Sequence, residues 1–147
     1  MDIRPSTLDS QWYGASSVTE LRAEVERFMN QARDAALPGE ITGIVSPHAG
    51  YRYSGPVAGY AYRQLRGKKF DTVVVVSPNH SDSRLRFSSV YTKGGYQTPL
   101  GVVPVDTETA LAIAGHGPND TVRASDYGHI PGFGANGEHS LEIQLPF

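Results

Sequence analysis

Two histidines, His48 and His80, follow two short apolar runs at matching places in the chain. The runs occupy residues 41–46 and 71–77, and each leads through Val-Ser-Pro to an imidazole one or two residues later. If both runs are parallel strands of one sheet, their carboxyl ends meet at the edge where open α/β folds place their sites. Neutral imidazole is a good ligand for iron, zinc and copper. The pattern therefore suits a metal site; the alternative is two loop histidines bonded to backbone groups.

A third histidine, His139, is flanked by the acidic residues Glu138 and Glu142. If a helix begins near Glu138, the spacing places His139 and Glu142 on one helix face. A histidine oriented by a carboxylate can transfer protons or bind a metal. A capped, solvated helix start explains the same spacing, and the residues alone leave both interpretations open.

Tyrosines are concentrated just after His48, in the predicted loop 47–55 and directly beyond it. Such side chains can line an aromatic pocket and offer phenol donors, although core packing is the simpler interpretation for Tyr60 and Tyr62. Arg52 in the same loop is either an anchor for a carboxylate or phosphate or a surface residue.

Other motifs fail the context that their chemistry requires. Residues 132–137 match G-x-G-x-x-G, but no predicted strand precedes them, so a dinucleotide site is not indicated. The chain has no P-loop and no G-x-S-x-G elbow for a serine nucleophile. We interpret His116 and His129 as solvated, because both lie in the Gly-, Pro-, Asn- and Asp-rich stretch 115–137.

The elements that would position these residues follow a βαβ order. An amphipathic helix is predicted over 18–36, with a capping box at its start. The next predicted elements are a strand at 41–46, a helix from Pro56 to about residue 66 and a strand at 71–77. The four consecutive valines of the second strand indicate that it is buried on both faces. Residues 1–16 are predicted to form an irregular arm. Beyond the second apolar run we predict strands at 84–92 and 101–105 around a turn at 94–101, and a helix capped by Asp106 that runs to about residue 114. A loop over 115–137 and a last helix from about residue 138 complete the prediction.

Composition limits the classes of protein that remain. The 147 residues suit one domain able to bury about 70% of its unfolded surface. A net charge of −2 and the lack of a long basic run argue against nucleic-acid binding. There is no cysteine, no apolar stretch of membrane-spanning length and no signal-peptide pattern, so we expect a cytoplasmic protein that is not in a membrane.

Several motifs, in this order, resemble the Memo family, also called the AmmeMemoRadiSam system protein B family. They are Ser-Gln-Trp-Tyr at 10–13, Ser-Pro-His-Ala-Gly-Tyr at 46–51, Ser-Pro-Asn-His at 77–80, Tyr-Gln-Thr-Pro-Leu-Gly at 96–101 and Glu-His-Ser-Leu-Glu-Ile-Gln-Leu-Pro-Phe at 138–147. The family in turn resembles class III extradiol dioxygenases, which are non-haem iron(II) enzymes on an α/β fold. Metal binding, redox activity and partner binding have all been attributed to its members.

By that resemblance, His48 and His80 match the first two metal ligands, and His139 matches a pocket histidine that serves proton transfer in the dioxygenases. Family members are nearly twice as long as this chain. The resemblance places the remaining ligand in the second half, as a cysteine in Memo proteins or a glutamate in the dioxygenases. A fragment, a naturally short copy and a half-site completed by another chain all fit this difference.

We therefore expect residues 1–147 to form one three-layer α/β/α domain with a mainly parallel or mixed central sheet, the N-terminal half of a Memo-like fold. The expected function is that of a metal-binding protein with a dioxygenase-like mononuclear site, redox active, holding iron(II) or else zinc or copper. His48 and His80 would be ligands and His139 the acid/base, while Tyr53 and Glu138 would line the pocket.

The alternative function is a non-catalytic module that binds a protein, peptide or small ligand in the same pocket. In that case the apolar end at Leu145 and Phe147 would be exposed and would seal against a partner, a second copy of the chain or a completing second chain.

Overall fold

A computed structural model describes residues 2–82, 84–115, 117, 120–132 and 137–147. His116 and most of the G-x-G-x-x-G segment lie outside these ranges. Within them the chain forms short strands and helices in mixed order, with small parallel and antiparallel sheets. The predicted α/β class is therefore confirmed. No helix in the described ranges is long and apolar enough to cross a bilayer.

The N-terminal arm is more regular than predicted. Strand β1 (Ile3–Arg4) pairs in parallel with a later strand, and helix α1 (Ser10–Tyr13) begins where the Asp9 carboxylate accepts the amides of its first turn. A strand of two residues and a helix of four are too short for a periodicity to be read from sequence. The residues that pair with β1 lie 92 positions further along the chain.

Helix α2 (Val18–Gln31) has the predicted N-cap at Ser17 but ends five residues early. The backbone beyond it is bound by a residue that follows the next helix. The Gln64 side chain donates to the Arg33 carbonyl at 2.9 Å and accepts the Ala35 amide at 2.9 Å. Because Gln64 binds these backbone groups, they are not available for further helical hydrogen bonds, and residues adjacent in sequence give no sign of this contact.

Helix α3 (Tyr51–Arg63) begins earlier than predicted, with Pro56 inside it. Pro56 is exposed and lies in the second turn of α3. Proline has no backbone N–H, so the Arg52 carbonyl lacks its usual helical hydrogen bond; Arg52 is itself exposed. The predicted loop 47–55 therefore becomes mostly helix, so Tyr51 enters the core while Tyr53 faces outward.

The main core lies between α2 and α3. A Cβ added at Gly59 would lie 2.6 Å from the Phe28 carbonyl oxygen, and one added at Gly55 would lie 2.4 Å from the Phe28 ring. The two glycines therefore allow the helices to approach closely. The buried core residues are Leu8, Tyr13, Leu21, Val25, Phe28, Met29, Tyr51 and Ile143.

Two small sheets follow α3. Strand β3 (Gly95–Thr98) lies between β1 and β4 (Gly101–Pro104), and it pairs antiparallel with β4. The predicted turn over 94–101 is thus a hairpin whose turn is only Pro99-Leu100. Strand β2 (Ser88–Val90) pairs in parallel with β5 (Val122–Ala124), which forms inside the stretch predicted to be a loop.

The last helices differ in how well they were predicted. Helix α4 (Thr107–Ile113) has the predicted cap, since Asp106 accepts the Thr109 amide at 3.0 Å. The predicted final helix is instead a short 3-10 helix, Glu142–Gln144, and Glu138 and His139 precede it without helical structure. The prediction that His139 and Glu142 share a helix face is therefore wrong.

The apolar end of the chain is packed rather than exposed, which corrects the expectation for Leu145 and Phe147. Both are half-buried, and the Phe147 ring stacks on Tyr62 with centroids 4.7 Å apart. Phe147 also contacts the rings of Phe28 and Tyr51. Packing an aromatic ring of this size against other aromatic rings is more favourable than exposing it to water.

The two apolar runs are the main departure from the predicted sheet. Residues 41–48 and 72–80, hereafter the first run and the second run, contain no helix, turn or bend, yet neither takes part in a β-ladder. No backbone hydrogen bond joins residues 41–46 or 72–77 to any other described segment. The predicted strands at 41–46 and 71–77 are therefore unpaired, and a cavity of about 590 Å³ is lined by both.

Candidate metal centre

The two runs bring His48 and His80 together at their carboxyl ends. The Nε2 atoms of the two rings are 3.3 Å apart, and the ring centroids are 5.1 Å apart. Two nitrogens bound to one tetrahedral ion at about 2.0–2.1 Å would lie about 3.3–3.4 Å from each other. Apart from metal binding, the same distance allows one ring to donate its N–H to the other.

Glu138 fixes the orientation of His80. Its Oε1 accepts the Nδ1–H of the His80 ring at 3.1 Å, and its Oε2 accepts the His80 backbone amide at 2.5 Å. An ionised carboxylate accepts protons, so Nδ1 carries the ring hydrogen and the Nε2 lone pair faces His48. This is the carboxylate–histidine arrangement that commonly accompanies metal-binding histidines.

The Glu138 carboxylate remains ionised although it is buried. Burial alone would raise its pKa, but the hydrogen bonds from Ser140 and from His80 outweigh that effect and hold the pKa at about 2. The same Oε1 also accepts the backbone amides of His139 and Ser140 at 2.9 and 2.8 Å. Glu138 thus links the histidine of the second run to the segment that carries His139.

The His139 ring packs against the His80 ring. The two rings are stacked with centroids 4.8 Å apart, and the centroid of the Trp12 ring lies 4.5 Å from that of His139. His139 is only 8% exposed, and its Nδ1 has no hydrogen-bond partner among the described residues. Burial lowers its pKa, while Glu138 opposes that shift. A buried neutral imidazole with an unmatched nitrogen can accept a proton or bind an ion.

His80, Glu138 and His139 form a group that could hold a metal ion, since one ligand atom from each lies within 4.8 Å of the others. This group overlaps the His48–His80 pair at His80. The oxygens of Glu138 already accept four N–H groups, which suits an orienting role better than direct coordination.

The segment after Glu138 also holds the two runs in place. Ser140 Oγ donates to the Pro78 carbonyl at 2.8 Å, and Gln144 Nε2 donates to the Pro47 carbonyl at 2.9 Å. Tyr62 from α3 donates to the Gln144 side-chain oxygen at 2.9 Å. One short segment therefore clamps the residue just before His48 and the proline two residues before His80.

The remaining predicted residues lie apart from this cluster. Tyr53 is on α3, is 79% exposed and does not line the cavity between the runs, so its role as a pocket wall stays a prediction. Arg52 is exposed on the same helix. Glu142 is buried elsewhere and pairs with Arg4 at 2.5 Å.

His129 is half-buried, so its interpretation as a solvated residue is wrong. Its Nε2–H donates to the Ser89 carbonyl at 3.0 Å, and its Nδ1 accepts a hydrogen bond from the Tyr96 hydroxyl. Burial lowers the pKa of His129, which keeps the ring neutral for both bonds. The composition of its stretch is typical of a loop, but its partners come from β2 and β3.

Sequence reasoning did not assign Trp12, Ser140 or Gln144 to the site. Trp12 covers His139, while Ser140 and Gln144 bind the two proline carbonyls. None of the three has a spacing that reports these contacts. The one indication in the sequence that these three residues belong to the site is that each lies inside a motif that resembles the family pattern.

The fold and the site together define an α/β protein in which two histidines converge from the ends of two apolar runs and one of them is oriented by a buried carboxylate. The model of the Memo-like protein family matches residues 4–147. This chain therefore belongs to the Memo family.

Individual relatives agree with this assignment. A MEMO1 family protein of Aeropyrum pernix is 42% identical over 104 residues, which are 70% of this chain and 34% of that protein. MEMO1 family proteins of Nitrosopumilus maritimus and Methanothermobacter thermautotrophicus are each 39% identical over 72% and 73% of this chain, or 35% and 36% of their own length. The chain thus aligns with about a third of the length of each of these relatives.

Proposed function

We propose that this chain provides a mononuclear metal centre in which His48 and His80 are ligands and His139 is the proton-transfer group. The observation that carries the proposal is the 3.3 Å separation of the two Nε2 atoms, which matches two ligands of one ion. The unmatched Nδ1 of buried His139 supports a polar or ionic guest beside the pair.

Iron(II) is the metal that the family resemblance favours, with zinc or copper as alternatives. When bound, iron(II) would supply redox chemistry toward dioxygen and an electron-rich aromatic substrate, as in dioxygenases. The residues of this chain would hold the ion through His48 and His80 and keep His139 neutral for proton transfer. Facial sites of this type use a third protein ligand, so we expect weak binding by the two imidazoles alone.

Metal titration of the purified chain tests the proposal. We expect cobalt(II), used as a spectroscopic probe, and iron(II) under anaerobic conditions to bind in a one-to-one ratio. The His48→Ala and His80→Ala variants should each lose at least about tenfold in affinity, because each removes one of two ligands. His129→Gln is the matched control, since the His129 ring hydrogen-bonds to Ser89 and Tyr96, which are not part of the proposed site.

The titration results distinguish two possible sets of metal ligands, the His48–His80 pair and the group of His80, Glu138 and His139. Loss of binding in His48→Ala supports the pair that we propose. Unchanged affinity in His48→Ala, with loss in His80→Ala and His139→Ala, would assign the ion to the group of His80, Glu138 and His139 and would overturn the role of His48. Equal affinity in all variants, including His129→Gln, would contradict a specific site.

A second candidate is a non-catalytic binding module built on the same pocket. It is favoured by the cavity of about 590 Å³ that extends from His48 between the two runs and is lined mainly by apolar side chains. Metal-free protein whose ligand binding is unchanged in His48→Ala and His80→Ala would support this function over the first.

A further inference from the structure

The cavity is lined by both the first and the second run, whose backbone groups are unpaired. Residues 41–46 and 72–77 line it, and their backbone N–H and C=O groups make no backbone hydrogen bond with any described segment. Extended backbone with unpaired groups on its edge is a template for another strand. A guest that satisfies both runs must itself offer a regular row of donors and acceptors.

The side chains that line the cavity are mainly apolar. Val45 is 96% exposed and Val76 is 90% exposed, which is unusual for valines in consecutive apolar runs. The described lining contains no Asp, Glu, Lys or Arg. A run that is apolar on both faces suits a strand in the interior of a covered sheet. The guest should therefore be uncharged and mainly apolar along its length.

The geometry points to a single extended polypeptide segment of about six residues that inserts between the first and second runs and pairs with the backbone of both. We assign this segment to the part of a full-length Memo-family chain that lies outside the region aligned with this one. The aligned region is only 34–36% of the relatives from Aeropyrum pernix, Nitrosopumilus maritimus and Methanothermobacter thermautotrophicus, so those chains contain ample additional sequence.

This inference concerns the backbone of the runs and holds whether or not the histidines bind a metal. The runs are held at their histidine ends by Gln144 and Ser140, which bind the Pro47 and Pro78 carbonyls. These contacts position the two runs at their histidine ends, while no backbone hydrogen bond joins the runs to each other. The inserted segment would complete a sheet.

Complementation in trans tests the inference. The full chain is co-expressed with the larger of the two portions of the Aeropyrum pernix relative that flank the aligned region, produced as a separate polypeptide. We expect a one-to-one complex by light scattering. In hydrogen exchange, the amides of 41–46 and 72–77 should exchange rapidly in the isolated chain and about 100-fold more slowly in the complex.

Charge substitutions identify the contact surface. Val45→Glu and Val76→Glu should each weaken the complex about tenfold or more, because each buries an unpaired carboxylate in an apolar cavity. Both valines are almost fully exposed in the isolated chain, so its circular dichroism should not change. Val57→Glu is the matched control: Val57 is 61% exposed on α3 and does not line the cavity, so this variant should bind within about twofold of the original.

Four results would overturn the inference. They are the absence of a complex, equal weakening by Val45→Glu and Val57→Glu, a complex in which both runs stay unprotected, and runs that are already protected in the isolated monomer. A dimer of the isolated chain that protects the runs and is disrupted by Val45→Glu would replace the assigned segment with a second copy.

Discussion

At the scale of single residues, the site depends on how Glu138 is used. Its oxygens accept the amides of His80, His139 and Ser140 and also the ring proton of His80. A carboxylate with this many donors is an anchor, and its main chemical consequence is to set the tautomer of His80. A residue that acts through another in this way is a positioning residue.

We predict that Glu138→Gln weakens metal binding about 10- to 100-fold, the usual cost of losing a partner of a ligating histidine. An amide is a poorer acceptor for Nδ1–H, so the His80 tautomer should become mixed. Nitrogen-15 NMR of the imidazole reports the tautomer directly, and a loss of stability alone would not change it. Glu108→Gln, in the exposed first turn of α4, is the control. A uniform Nδ1–H tautomer in Glu138→Gln would contradict the positioning role.

At the scale of elements, the position of the first run depends on the contact between α2 and α3. The residues before α3 carry His48, and the helix is held against α2 through the glycine positions that face Phe28. Any change that separates the helices would displace the first run relative to the second. The close approach is therefore part of how the fold positions the histidines.

We predict that Gly59→Ala destabilises the protein. Its new methyl group would lie 2.6 Å from the backbone oxygen of Phe28, which cannot rotate away as a side chain can. Overpacking costs about 1–3 kcal/mol, which exceeds the gain of about 0.8–1.0 kcal/mol in helix propensity. Gly43→Ala, with no atom within 4 Å of the added Cβ, is the control. Urea unfolding measures both, and a Gly59→Ala variant at least as stable as Gly43→Ala would refute the close contact.

At the scale of the whole molecule, the two ends of the chain are joined through Glu142. This fully buried carboxylate accepts hydrogen bonds from Arg4, Ser6, Thr7 and Leu8, and Arg4 also donates to the Glu138 carbonyl at 2.5 Å. The arm held in this way includes α1 and therefore Trp12, the ring that covers His139. Trp12 and His139, which are 127 positions apart in the sequence, therefore meet at the site.

We predict that Arg4→Met lowers the free energy of unfolding by about 3–5 kcal/mol, because it leaves the buried Glu142 carboxylate without its cation. The Arg27–Glu24 pair on α2 is largely exposed, so Arg27→Met should cost less than about 1 kcal/mol. Adding Glu142→Leu to Arg4→Met should recover part of the loss. Similar costs for Arg4→Met and Arg27→Met in denaturant unfolding would show that the buried pair is unimportant.

We predict a loss of stability in acid to which His129 and Glu142 both contribute. Burial lowers the pKa of His129, so the unfolded chain binds a proton first, and stability should decline as the pH falls below about 6.5. Burial would raise the pKa of Glu142, but the hydrogen bonds from Arg4 and the arm outweigh it and lower the pKa. The contribution of Glu142 is therefore present above about pH 4.3 and is lost as the pH falls further.

Thermal unfolding between about pH 2 and pH 8 measures this dependence, with the His129 effect in the upper part of the range and the Glu142 effect below about pH 4.3. His129→Gln should be less stable at pH 8 but should lose less stability than the original chain between pH 6.5 and pH 5, since the titrating group is gone. An identical pH dependence in both proteins would rule out His129 as the source of the decline.

The sequence by itself determined the α/β class, the caps at Ser17 and Asp106, and the convergence of His48 and His80. These depend on local patterns and on the repeated order of run, helix and run. Only the tertiary structure decided that the runs stay unpaired, that Glu138 binds His80, and that His129 and Phe147 are packed inside. The physical reason is that pairing, burial and side-chain hydrogen bonds depend on partners far along the chain, which local spacing does not encode.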